Sequence, residues 1–197
     1  MALISASLTL LAMKTERRWF DRTFEVGLSP DVAPMLLDRL RRTPDRLADA
    51  VRGLSPEALT ERRDARWSIQ ENAGHLLDLE SLWEQRLDDY DARATELHPA
   101  DLANTRTHEA RHNESAISEI LASFRSARST ILERFARMGP AELARTALHP
   151  RLRQPMSVVD LCFFVAEHDD HHLRTINDLA AAQRQAVPNP SATPGAF

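Results

Sequence analysis

A single cysteine, Cys162, leaves this 197-residue chain no intrachain disulfide framework and no thiolate-rich zinc site. A reducing cytoplasm is the compartment that such a sequence points to. Cys162 itself falls in an apolar stretch and reads as a small buried hydrophobe rather than a nucleophile. There is no basic excess: the net charge is −4 and the pI about 6.1, which argues against a nucleic-acid partner. Lysine is nearly absent, Lys14 being the one exception among 25 basic residues, and this says nothing about a partner. There is also no long hydrophobic run. The apolar segment Met1–Met13 is shorter than the ~20 residues that span a bilayer. It lacks the positive flank of a signal peptide, so no membrane association is expected. Met13 is a candidate alternative start, and residues 1–13 are expected to lie outside the fold.

Hydrophobic residues make up 43% and charged residues 27%, the balance of a soluble globular domain large enough for a real core. One domain is expected over residues 14–185, followed by a disordered Pro- and Ala-rich tail, 186–197. Ser29-Pro30 predicts the start of a first helix running to about Arg52, with Met35, Leu36, Leu40, Leu47 and Val51 facing inward. Thr43-Pro44 should kink or interrupt it. Ser68 and Glu71 form a capping-box pattern for a second helix with Ile69, Ala73, Leu76, Leu79, Trp83, Leu87 and Tyr90 on its buried stripe. A polar connection over 91–111 precedes a third helix from about Asn113 to Met138. No strand alternation or repeat stands out. Four amphipathic helices make the fold class all-α, a four-helix bundle. The short last link favours antiparallel neighbours, and the longer links permit crossovers.

The fourth helix, Ser157–Leu179, carries the chemistry. Ser157 and Asp160 resemble a cap, and Leu161, Val165, His168, His172, Ile176 and Leu179 recur at helical spacing. A lone histidine on an apolar stripe is ordinarily a neutral side chain with one hydrogen bond. Two at i and i+4 both need partners once desolvated, and a divalent metal is the commonest partner for such a pair. His75, mid-helix among apolar residues, is the best third ligand, whereas His98, His108, His112 and His149 lie in polar or Pro-flanked stretches where exposure is the default. His171 could replace either helix-4 ligand but falls off the stripe. Three histidines with an open position describe a Lewis-acidic catalytic site, suited to zinc, nickel or iron. His108-Glu109-Ala110-Arg111-His112 matches the HExxH protease pattern, yet has no apolar face and reads as an accident.

Trp67-Ser68-Ile69, Gly74-His75-Leu76 with Glu80 and Trp83, and His168-Asp169-Asp170-His171-His172 together resemble the DinB-like superfamily of metal-binding bundles. The resemblance covers about residues 15–182. It implies an up-down-down-up four-helix bundle, often dimeric, with a divalent metal, zinc or nickel foremost, on His75, His168 and His172. It also implies chemistry on a small molecule: transfer or isomerisation with a low-molecular-weight thiol as co-substrate, the thiol being deprotonated by the metal. The alternatives are a hydrolase using metal-bound hydroxide, and a non-catalytic bundle. A hydrolase needs a base, for which Glu71 is the only acidic candidate near the ligand face; its plainer role is the cap. A homodimer is expected from the resemblance, with Trp19 and Phe20 as candidate interface residues.

Overall fold

The computed structural model describes residues 19–64 and 66–186; the expectations for 1–13 and for the tail beyond Ala186 lie outside them. Four long helices form the body: α1 (Ala33–Val51), α3 (Ile69–Asp91), α5 (Ile117–Ala136) and α7 (Val158–Ala186). Between them stand the short helices α2 (Pro56–Thr60), α4 (Thr105–Glu109) and α6 (Pro140–Leu143) and a small hairpin, β1 (Thr146–Leu148) with β2 (Pro155–Ser157). The starts follow the sequence signals. Ser68 and Glu71 complete a reciprocal capping box for α3. Before α7, Ser157 Oγ accepts from Asp160 N–H while Asp160 accepts from Ser157 N–H at 2.9 Å.

Each of α1 and α3 packs against both α5 and α7, so α1 and α3 occupy opposite corners of the bundle. Partner residues give the directions. Arg39 meets Asp170 and Arg184 reaches the Ala50 carbonyl, so α1 and α7 run parallel. Ser68 bonds Asn113 just ahead of α3 and α5, and Arg134 pairs with Asp88 and Asp91 near the far end of α3, so these helices also run parallel. Asn72 faces His172 and Tyr90 faces Ser157, which sets α3 antiparallel to α7. The order is therefore up-down-down-up.

Several expectations are corrected. α5 and α7 are diagonal rather than neighbours, because α6 and the hairpin carry the chain across the bundle end. The hairpin itself was not expected; three residues per strand are too few for alternation to register. Met35 is 66% exposed, since Ala33, Leu36 and Leu40 set the buried phase of α1. The third helix starts at Ile117, after a 3₁₀ turn at His112–Glu114. α1 is not broken at Thr43-Pro44 but continues through it. Proline deprives the Leu40 carbonyl of its helical donor, and Arg128 Nη1 approaches that oxygen at 3.4 Å instead.

The apolar core falls into two clusters. Along α1, Leu40 belongs to one and Leu47 to the other, with Thr43 between; along α5, Ile131 and Phe124 flank Arg128 in the same way. Glu80 and Asp169 hold the matching positions on α3 and α7. These four side chains meet in one buried layer. Arg128, with a 1% exposed side chain, pairs with Glu80 at 2.6 Å and Asp169 at 2.5 Å, and Thr43 donates to Asp169 at 3.0 Å. Burial works against the Arg128 charge, but Asp169 and Glu80 outweigh it and raise its pKa.

Arg128→Met strands two buried carboxylates and is expected to lower the unfolding free energy by roughly 3–5 kcal/mol. Met35→Gln, on the exposed face, is expected to change it by less than about 0.5 kcal/mol. Urea denaturation followed by circular dichroism measures both; equal effects would mean that the charged layer contributes nothing particular.

Candidate metal centre

The antiparallel α3 and α7 bring three buried histidines together beside the charged layer. One turn separates His168 from His172 on α7, and their ring centroids lie 4.6 Å apart. His75 of α3 closes the triangle, 4.8 Å from the His172 ring and 5.4 Å from that of His168. One donor nitrogen from each ring lies within 4.8 Å of the other two. Among the described residues this is the one group of three or more His, Cys, Asp or Glu donors placed to hold an ion.

Hydrogen bonds fix the tautomer of two of the rings. The Asn72 amide donates to the Ser68 carbonyl at 2.8 Å, so its oxygen accepts from His172 Nδ1 at 2.9 Å. The Thr107 hydroxyl donates to Asp78 at 2.8 Å and therefore accepts from His75 Nδ1 at 3.0 Å. Both rings thus carry their proton on Nδ1 and present a bare Nε2. His168 Nδ1 is buried with no hydrogen-bond partner among the described residues. Burial lowers the His75 pKa to about 4 and those of His168 and His172 well below the ordinary value, with neighbouring histidines adding to the effect. Three neutral imidazoles, two held by outer partners and one with an orphaned nitrogen, fit a divalent cation.

The triad lies at one wall of a cavity of about 400 Å³ lined also by Trp19, Trp83, Phe164 and Leu79. Trp19 is half-buried against His168, at 5.0 Å between rings, rather than exposed. Phe20 is 53% exposed.

Residues 39–176 match the DinB superfamily. The chain belongs to that superfamily. YfiT from Bacillus subtilis, described as a probable metal-dependent hydrolase with an unusual four-helix bundle topology, is similar in fold. The TM-score is 0.72 at 18% identity, covering 83% of this chain and 94% of YfiT. A Streptococcus pneumoniae protein is similar at a TM-score of 0.58 and 13% identity, covering 85% of this chain and 94% of its own. No curated protein matches the chain in sequence.

The other sequence candidates of this DinB protein are distributed as follows. His171 is half-buried on the cavity wall, its Nδ1 without a hydrogen-bond partner among the described residues, and it lies outside the triad. Glu71 caps α3 and pairs with Arg62. Burial pushes its carboxyl up, but the Arg62 and Ser68 contacts outweigh this and hold it below the ordinary range. His98 and His108 are exposed as expected, whereas His112 and His149 are buried. The HExxH segment does not form one helix, because α4 ends at Glu109 and Arg111 turns left-handed (φ 49°). His112 instead folds back and donates to Asp78 at 2.8 Å.

That contact explains the Gly74-His75 pair. A Cβ at position 74 would stand 2.2 Å from the His112 ring. Asn72 and Thr107 were missed from sequence. Asn72 precedes His75 by three residues and so shares its side of α3, a signal that was available. Thr107 sits in a polar segment without apolar periodicity.

Gly74→Ala is expected to lower stability by about 1–3 kcal/mol through overpacking, and Gly74→Ala/His112→Ala to recover part of that loss. Urea midpoints of the two variants and of His112→Ala complete the cycle; strictly additive losses would mean that the two positions do not press on each other.

Proposed function

We propose that His75, His168 and His172 hold a divalent metal, zinc or nickel, and that the protein is a metal-dependent enzyme acting on a small molecule. The observation that carries this reading is the pair of outer hydrogen bonds, Asn72 to His172 and Thr107 to His75, which leave Nε2 of both rings free as donors in a group whose donor atoms lie within 4.8 Å of one another. All-imidazole donors suit these ions. A divalent ion there supplies an acidified thiol or water at neutral pH.

The chain's own residues then bind and orient. Trp19, Trp83 and Phe164 enclose an apolar substrate body and exclude water from the triad. No carboxylate joins the histidines among the described residues, and Glu71 is committed to Arg62 and the α3 cap. A nucleophile that needs no neighbouring carboxylate base favours transfer or isomerisation with a low-molecular-weight thiol. Hydrolysis is the second reading. Its support is His171, whose buried Nδ1 has no hydrogen-bond partner among the described residues and whose ring lies 5.2 Å from that of His172, a position from which it could take a proton. The fold likeness to YfiT points the same way. A homodimer is proposed on the family resemblance and is read by light scattering.

Elemental analysis of protein purified without a histidine tag is expected to find about one zinc or nickel per chain. His75→Ala, His168→Ala and His172→Ala should lose it, and His108→Ala should retain it. Equal loss in His108→Ala would sink the assignment. With metal loaded, turnover of a small electrophile only when a thiol is added selects transfer. Thiol-independent ester or amide cleavage that falls in His171→Ala selects hydrolysis.

A further inference from the structure

The cavity has a second polar pole, away from the histidine triad. Arg86 is 1% exposed, donates from Nε to the His98 carbonyl at 3.0 Å, and lines the cavity. Arg151, delivered by the β1–β2 turn, lines it as well, and its Nη2 is buried with no hydrogen-bond partner among the described residues. Neither guanidinium forms an ion pair with a described residue; the ion pairs of this chain lie elsewhere. The nearby carboxylates are occupied. Asp101 accepts from the backbone N–H groups of Ala103 and Thr105, and Asp89 accepts from that of His98.

His149 lies against this pole. Leu152 N–H points at its Nδ1 at 3.2 Å and Arg86 Nη1 at its Nε2, also at 3.2 Å. Burial, with Arg86 and Arg151 contributing, lowers its pKa to about 3, so the ring is neutral and has one lone pair for two donors. One of these two donors, Leu152 N–H or Arg86 Nη1, therefore lacks this acceptor. Arginine cannot shed its proton to escape burial, so a buried and a half-buried guanidinium with no ion-paired carboxylate among the described residues leave a demand for an anion. Burial accordingly lowers the pKa of Arg86 to about 10 and lowers that of Arg151 as well.

We propose that Arg86 and Arg151, with His149 beside them, form an anion-binding pole, and that the cavity takes a small molecule with an apolar body and a carboxylate or phosphate head. Trp83 joins the two poles: its ring lies 5.4 Å from the Arg86 guanidinium carbon and 5.9 Å from the His168 ring. A ligand anchored by its head at the arginines lays its body along Trp83 and Phe164 and presents its other end to the histidines. This names the ligand class of the site proposed above and rests on that reading only for which end reacts.

The test uses the full chain in EDTA, so that an anion binding to a metal cannot produce the signal. Octanoate, octyl phosphate and neutral octanamide are titrated while following tryptophan fluorescence, since Trp19, Trp67 and Trp83 all line the cavity. At least one anion is expected to bind roughly tenfold or more tighter than the amide, and the tighter of the two identifies the head group. Arg151 is half-exposed, so Arg151→Gln should fold, which its urea midpoint checks; it should cut the anion-over-amide preference to well below its wild-type value, and a preference as large as the wild type's counts as survival. No binding of either anion, equal affinity for amide and anions, or a preference that survives Arg151→Gln would overturn the proposal. Metal content is measured separately, so failure of anion binding leaves the histidine assignment standing, and the reverse.

Discussion

One buried cation organises this bundle. Arg128 enters from α5 and is met by Glu80 from α3, Asp169 from α7 and the Leu40 carbonyl from α1, so each long helix supplies one part of a single layer. The desolvation penalty of a guanidinium is severe, and every helix must stand at the right height for it to be offset. Apolar contacts alone tolerate sliding; a buried ion pair does not. The layer thus fixes the axial register of α3 against α7, the register on which the histidine triangle depends. Asp169 is the residue after His168, so the contact that anchors α7 also sets the height of a triad member.

The cavity beside this layer has two dissimilar ends joined by aromatic walls. One end offers neutral nitrogen lone pairs, and the other offers positive charge with no ion-pair partner among the described residues. The two come from different parts of the architecture. The histidines stand on long helices, held by packing and by outer hydrogen bonds. Arg151 and His149 come from the hairpin region, while Arg86 stands on α3 and is fastened to the His98 carbonyl, so the cationic end is built in part by connections across the bundle mouth. In bundles the helices supply precision and the connections supply variety, and here the division runs through one cavity.

The fold and the triad were legible because both are written in local periodicity. Caps at Ser68 and Ser157 marked the helix starts, and the i, i+4 spacing of His168 and His172 on an apolar stripe marked the unusual pair. His75 stood out because its neighbours are apolar. What periodicity does not encode was misread. Whether His112 and His149 are buried depends on where polar connections fold back, and nothing in the flanking residues reports that. The continuity of α1 through Pro44 depends on an arginine 84 residues later, the separation of Pro44 from Arg128. The hairpin was too short to leave a pattern. Local signals picked out the three histidines that the fold brings together; long-range contacts decided their surroundings.

Asp78 accepts from both Thr107 and His112, and Thr107 in turn orients His75. The segment from Thr105 to Glu114 is fastened to α3 by Asp78 together with Gln70, which donates to the His112 carbonyl, and Ser81, which accepts from Arg106, over a glycine that leaves room for the His112 ring. Such a segment can open at a fraction of the free energy needed to unfold the helices beneath it. When it does, His75 loses the acceptor that fixes its tautomer while His168 and His172 stay in place. The tautomer of His172, set by Asn72 on α3, then has the lifetime of the folded bundle, and that of His75 has the lifetime of a docked loop.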